Sequence, residues 1–177
     1  MAAYRPGLIA TALGAFVTGV LLPGVLPSGV ARASTPPLAF AGTKRLHILC
    51  NVAGGPGIDQ AALSAELCGE VKRLAAKGAP VPVDIIKLGN PAVLGADAVT
   101  LLVHASITHS GDSRLLAFTI RPYRTSDAQS AVLFGTAPRA VALQRTGIGG
   151  MAVGAAIDAA LAETVPWRAA PRIQPLN

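Results

Sequence analysis

Three histidines, two cysteines and a late run of arginines are the side chains of this 177-residue chain best placed to do chemistry. His47 and His104 lie in alternating apolar and polar runs, at the parity opposite the apolar positions. Both should therefore point from the same outer face of a sheet. On neighbouring strands the two imidazoles could meet and hold a metal. That defines one reading, a small periplasmic hydrolase or metal-dependent enzyme using His47 and His104. No third ligand stands at a spacing such as H-E-x-x-H or H-x-H, so the pattern names no metal. The plainer reading is a pair of solvent-facing strand histidines, with His109 at a hairpin end.

Other catalytic signatures are missing. The sequence holds no G-x-S-x-G elbow and no S-x-x-K pair. Ser106 and Ser110 are close to histidines along the chain, but sequence adjacency does not make a triad. Glu66 and Glu70 stand beside Lys72 and Arg73 and read as a solvated helix face. The glycine-rich stretch "NVAGGPGID" follows a strand and precedes a helix, as a phosphate loop would. Its spacing is G-G-P-G, no G-K-[ST] follows, and Pro56 removes an amide that a phosphate nest would use. The stretch is expected to reverse the chain and bind nothing. No motif implies a cofactor, and the balance points away from catalysis.

Cys50 and Cys68 are the only cysteines. Cys50 has the core parity of a strand, and Cys68 adjoins the stripe Leu63, Leu67, Val71, Leu74 of a helix. A helix returning over that strand would bring the two together, so a structural disulfide is expected.

That expectation depends on the compartment. Residues 1–33 read as a secretory signal peptide: Arg5, an apolar run from Leu8 to Leu22, breakers at Pro23 and Pro27, then Ala31-Arg32-Ala33. The run is shorter than the roughly 20 residues a membrane-spanning helix needs. The destination is then the periplasm or the medium, where paired cysteines oxidise. No transmembrane segment is expected once the leader is removed. Ser34 to Asn177, 144 residues, is the size of one domain.

Charge is unevenly placed. From Ser34 to Asp112 six basic residues balance six acidic ones, whereas from Ser113 onward seven arginines face three carboxylates, a net of +4. Arg121, Arg124 and Arg139 are the members expected to share one side of the domain, unpaired, and to meet an anionic envelope component or an envelope protein. Nucleic acid is not expected, because the aromatic residues that stack bases make up only 4% of the chain.

The elements that must position these groups follow from periodicity. An extended lead-in (34–43) precedes a strand at Lys44–Val52, a helix at Gly57–Lys77 and a strand at Val81–Leu88. A hairpin follows, with Val99, Leu101, Val103, Ala105 and Ile107 on its first apolar face and Leu116, Phe118 and Ile120 on its second. Strands at Ala131–Phe134 and Val141–Leu143, a helix at Gly147–Val165 and an extended tail (166–177) complete the order. Gly150 and Gly154 should let the second helix approach the sheet, or else a partner helix. The domain (44–165) is expected to be α+β: a two-layer sandwich with a mostly antiparallel sheet of four or five strands and two helices on one face. The polar alternation of the hairpin implies that the other face is open. The functional expectation is an exported, non-catalytic binding or scaffold protein of the bacterial envelope.

The leader is directly testable. Mass spectrometry of protein from the native host should find the mature N-terminus at or next to Ser34, and an intact leader would overturn the export reading.

Overall fold

The alternation of Leu46, Ile48 and Val52 becomes an interior strand of a five-stranded sheet. The computed structural model describes residues 37–110, 113–125, 135–143 and 147–169, all within one compact unit. The strands are β1 (Arg45–Gly54), β2 (Val83–Ile85), β3 (Ala98–Ser110), β4 (Ser113–Tyr123) and β5 (Arg139–Leu143), and they lie in the order β2-β1-β3-β4-β5. The helices are α1 (Gln60–Ala75) and α2 (Met151–Thr164).

The class is α+β as expected, but the sheet is mixed rather than mostly antiparallel. β1 runs parallel to both β2 and β3, while β3–β4 and β4–β5 are antiparallel. The cause is α1, which carries the chain back so that β2 starts at the same end as β1, and a 3-10 turn at Pro91–Leu94 does the same before β3. The strand expected at Ala131–Phe134 lies outside the described residues, as do the leader and the last eight residues.

Both helices cover the face carrying Leu46, Ile48, Leu101, Val103, Leu116 and Ile120. Leu67, Val71, Val153, Ile157 and Leu161 join those side chains in one buried cluster. α1 begins later than its pattern suggests because Asp59 is its N-cap, its carboxylate accepting the Ala62 amide at 3.0 Å. Gly57, at φ 80°, is part of the turn instead.

Cys50 and Cys68 are joined, with their Cα atoms 5.8 Å apart, so the disulfide pins α1 to β1. A second tie closes the domain. The chain after α2 does not leave extended: Pro166–Arg168 form a 3-10 turn. Trp167 there donates its indole N–H to the Ala75 carbonyl at 2.9 Å and meets Phe40 edge-on, with ring centroids 5.7 Å apart. Phe40 belongs to a 3-10 turn at Pro37–Phe40, ahead of β1. One aromatic pair thus fastens the lead-in, the end of α1 and the end of α2 together.

Two stability outcomes follow. The 18-residue separation of the cysteines predicts a loss of about 3 kcal/mol on reduction by loop-closure entropy. Thiol labelling of unfolded, unreduced protein should modify neither cysteine, and full labelling of both would show that the bond does not form. Trp167→Ala should cost about 2–3 kcal/mol in urea unfolding, because it removes a packed ring and leaves a carbonyl short of one donor. A loss below about 0.5 kcal/mol, the scale of ordinary surface changes, would show that the tie is ornamental.

Candidate docking surface

Strand register lays out the face opposite the helices in rows. Asp84, His47, Thr100 and Tyr123 form one row, and Leu49, Leu102 and Arg121 the next. Asn51, His104 and Thr119 follow, then Ala53, Ser106, Ala117 and Ala140. Exposure changes sharply along these rows. His47, Leu49 and Thr100 are 5%, 6% and 1% exposed, whereas Asn51, Ala53, His104, Ser106, Thr108, Ala140 and Ala142 are all exposed. The outer face is therefore closed at one end and open at the other.

This corrects the reading of His47 as solvent-facing. It lies on β1, between two parallel neighbours, and is buried there. Its Nδ1 and the hydroxyl of its cross-strand neighbour Thr100 are buried without hydrogen-bond partners. It also cannot join His104. Their partners are Thr100 and Asn51, so the two histidines are offset by four residues of strand, roughly 13 Å. His109, opposite Arg114 at the hairpin end, joins neither. Among the described residues no three His, Cys, Asp or Glu side chains gather as metal ligands would.

The open end holds a shallow groove of about 270 Å³ lined by His104, Ser106, Ala117, Thr119 and Pro138. Thr119 donates its hydroxyl to the Thr136 carbonyl at 2.9 Å, which leaves its oxygen free to accept. His104 and Ser106 face solvent on the neighbouring strand. Small side chains at 117 and 140 make the floor flat, so the surface suits an extended ligand lying across it better than a small molecule enclosed within it. Asn51, Thr119 and Pro138 were not singled out by sequence. Asn51 and Thr119 share the parity of His104, and that parity is the signal that finds them.

The three arginines do not gather. Arg139 lies opposite Phe118 on the helix face and donates to Glu163 of α2 at 2.7 Å. Arg121, next to the buried Ile120, points from the other face and is exposed. Its stem passes Gly135, where a Cβ would fall 2.4 Å from Arg121 Cγ, so glycine there makes room for it. Arg124 is a clamp: its guanidinium donates to the carbonyls of Ala39, Ala41 and Ala96 at 2.7–3.3 Å. The expectation of three unpaired guanidiniums on one side is corrected, because two of them satisfy the structure's own acceptors.

Two further expectations resolve inside the chain. The glycine turn is structural: Gly54's carbonyl accepts Gln60 Nε2 at 2.9 Å, and a Cβ on Gly54 would crowd Ile58 at 2.9 Å. Gly154 serves a contact between α1 and α2 and not an approach to the sheet. A Cβ there would lie 3.3 Å from Glu70 Oε1. Glu70 is therefore an interface residue rather than part of a solvated face. The Arg73 guanidinium, bonded to it at 2.7 Å, holds its carboxyl below the usual carboxylate range. Gly150 is the N-cap of α2.

The chain matches no family model and no curated protein. Among solved structures it is similar to the PelC dodecamer from Paraburkholderia phytofirmans in space group P6, with 12% identity and a TM-score of 0.44 over 68% of this chain and 88% of that one. A single-substitution variant of the PelC dodecamer from the same organism, in space group C2, gives 11% identity and a TM-score of 0.40 over 75% of this chain and 91% of that one.

Proposed function

We propose that this chain is an exported, non-catalytic binding or scaffold protein of the bacterial envelope. The half-open outer face carries the reading. A sheet covered at one end and bare at the other leaves a flat surface of small and hydroxyl side chains. Such a surface suits contact with another molecule and lacks the enclosure that catalysis requires. The disulfide fits an oxidising compartment. Among the described residues no helix is long and apolar enough to cross a membrane. Arg121 is an exposed cation on the outer face, available to an anionic envelope component. The enzyme alternative loses its geometry, since His47 is buried and His104 stands apart from it.

Site-specific photocrosslinking in the native host tests this reading. A crosslinker at Ser106 should trap a discrete envelope partner, while one at the exposed Ala76, at the end of α1, should not. Equal products at both positions, or none at Ser106, would overturn it. Stoichiometric zinc or copper in the purified protein would favour the enzyme instead.

A further inference from the structure

The two ends of the sheet are finished differently. At one end β2 has only three residues and follows Pro82. Beyond its reach the carbonyls of Cys50 and Gly54 in β1 accept Ser64 Oγ at 3.5 Å and Gln60 Nε2 at 2.9 Å, both from α1. That edge is short and partly capped. At the other end β5 has no such screen among the described residues.

Ile120 fixes which backbone groups β5 leaves free. Its amide donates to Thr136 Oγ1 at 3.1 Å and its carbonyl accepts the Thr136 amide at 2.9 Å, so its main chain faces the β5 side. Alternation turns Phe118, Leu116 and Arg114 the same way, and these stand opposite Arg139, Val141 and Leu143. The N–H and C=O groups of Ala140 and Ala142 therefore point away from the sheet, and no described residue bonds them. Their side chains are exposed methyls, which shield nothing. Natural sheets usually blunt such edges with lysine, proline or bulges. Within β5 the one charged side chain, Arg139, is instead drawn back to Glu163.

We propose that the free edge of β5 accepts an extended, acidic segment of a partner protein as a sixth strand. The inference rests on the binding reading above and names its site and partner chemistry. Backbone pairing supplies the register and orientation. Charge selects the occupant. Arg139 opens the strand, with its Nε buried and unpartnered, and Arg114 stands opposite Leu143. A glutamate on the incoming strand opposite Arg139 would lie within about 5 Å, close enough to share the guanidinium with Glu163. A second copy paired antiparallel through Ala140 and Ala142 would set the neutral Leu143 against Arg139 and supply no carboxylate there.

The test uses the mature, oxidised protein and a short capped peptide of alternating glutamate and valine. Amide NMR should show the Ala140 and Ala142 signals shifting, with their exchange slowed, and binding should weaken as salt rises. Ala140→Pro removes an N–H that faces away from β4, so the fold should keep its melting temperature while affinity falls about tenfold or more, which is about 1.4 kcal/mol. Should the proline variant lose stability, Ala142→Pro gives the same reading at the next outward amide. Unchanged affinity in a folded proline variant would overturn the proposal, as would equal binding of the lysine–valine peptide. Shifts confined to Asn51, His104 and Thr119 would refute the edge while leaving the open face as the binding surface. Self-association of the chain that Ala140→Pro abolishes would make a second copy the occupant and overturn the acidic-partner assignment.

Discussion

The ladder between β1 and β3 is the constraint on which the rest of the structure depends. It pairs ten consecutive residues of β1 in parallel with β3, from Arg45 against Ala98 to Gly54 against Ile107. A parallel pair cannot be closed by a tight hairpin, so the chain between its strands must travel back along the sheet. That return is α1 with β2, and it puts a helix over β1. From this come the disulfide, whose cysteines sit on β1 and α1, and the pairing of His47 with Thr100 in the buried early rows. The antiparallel strands β4 and β5 lie beyond the ladder, and exposure rises along the later rows, at Asn51 and His104 onward. The opening therefore runs along the strands and not across them, since Asn51 and Ala53 are exposed although they pair in parallel with β3.

Much of this was legible in residue patterns. The period-two run from Val99 to Ile107 and its partner at Leu116–Ile120 specify the hairpin, because one face of each is fully buried and a slip of one residue would invert it. The cysteine pair was legible for a related reason: the parity of Cys50 and the stripe beside Cys68 put both on facing surfaces. What periodicity could not show is strand direction. Alternation reads the same for parallel and antiparallel neighbours, so the order of β2, β1 and β3 had to come from tertiary structure. The burial of His47 belongs to the same failure. Leu49 and Leu102, apolar residues at outward parity, were the available hint that this face is covered near the middle of the sheet.

The arginines show a second limit. Their count is compositional, but their meaning depends on acceptors that are far away in sequence. Arg124 reaches carbonyls more than 80 positions earlier, at Ala39 and Ala41, and Arg139 meets Glu163 24 positions later. Arg168 pairs with Asp158 across the end of α2. Such contacts satisfy acceptors and fix side chains rather than supply large stability, since partly exposed ion pairs are worth little. They do reduce the cation density available to a ligand. Among the described arginines of the second half, Arg124, Arg139 and Arg168 are thus held by internal acceptors, and Arg121 is the member of the predicted trio that stays available on the outer face.

Small residues have a comparable double use. Gly154 lets α2 come close to Glu70 on α1, and Gly135 lets the stem of Arg121 pass, so each glycine is explained by one neighbour. Ala140 and Ala142 have no such neighbour. In a packed interior a run of alanines would be read as close approach, whereas here the methyls are exposed on the last strand of the sheet. Larger β-branched residues would have favoured the strand more and shielded its edge. Alanine does neither, and the main chain of β5 stays accessible beside a flat face. The same sequence caps carbonyls of β1 with Ser64 and Gln60 at the opposite end, whereas among the described residues no such cap is applied to β5. An edge left bare beside an open face is a geometry in which a strand added to β5 would extend the docking surface rather than compete with it.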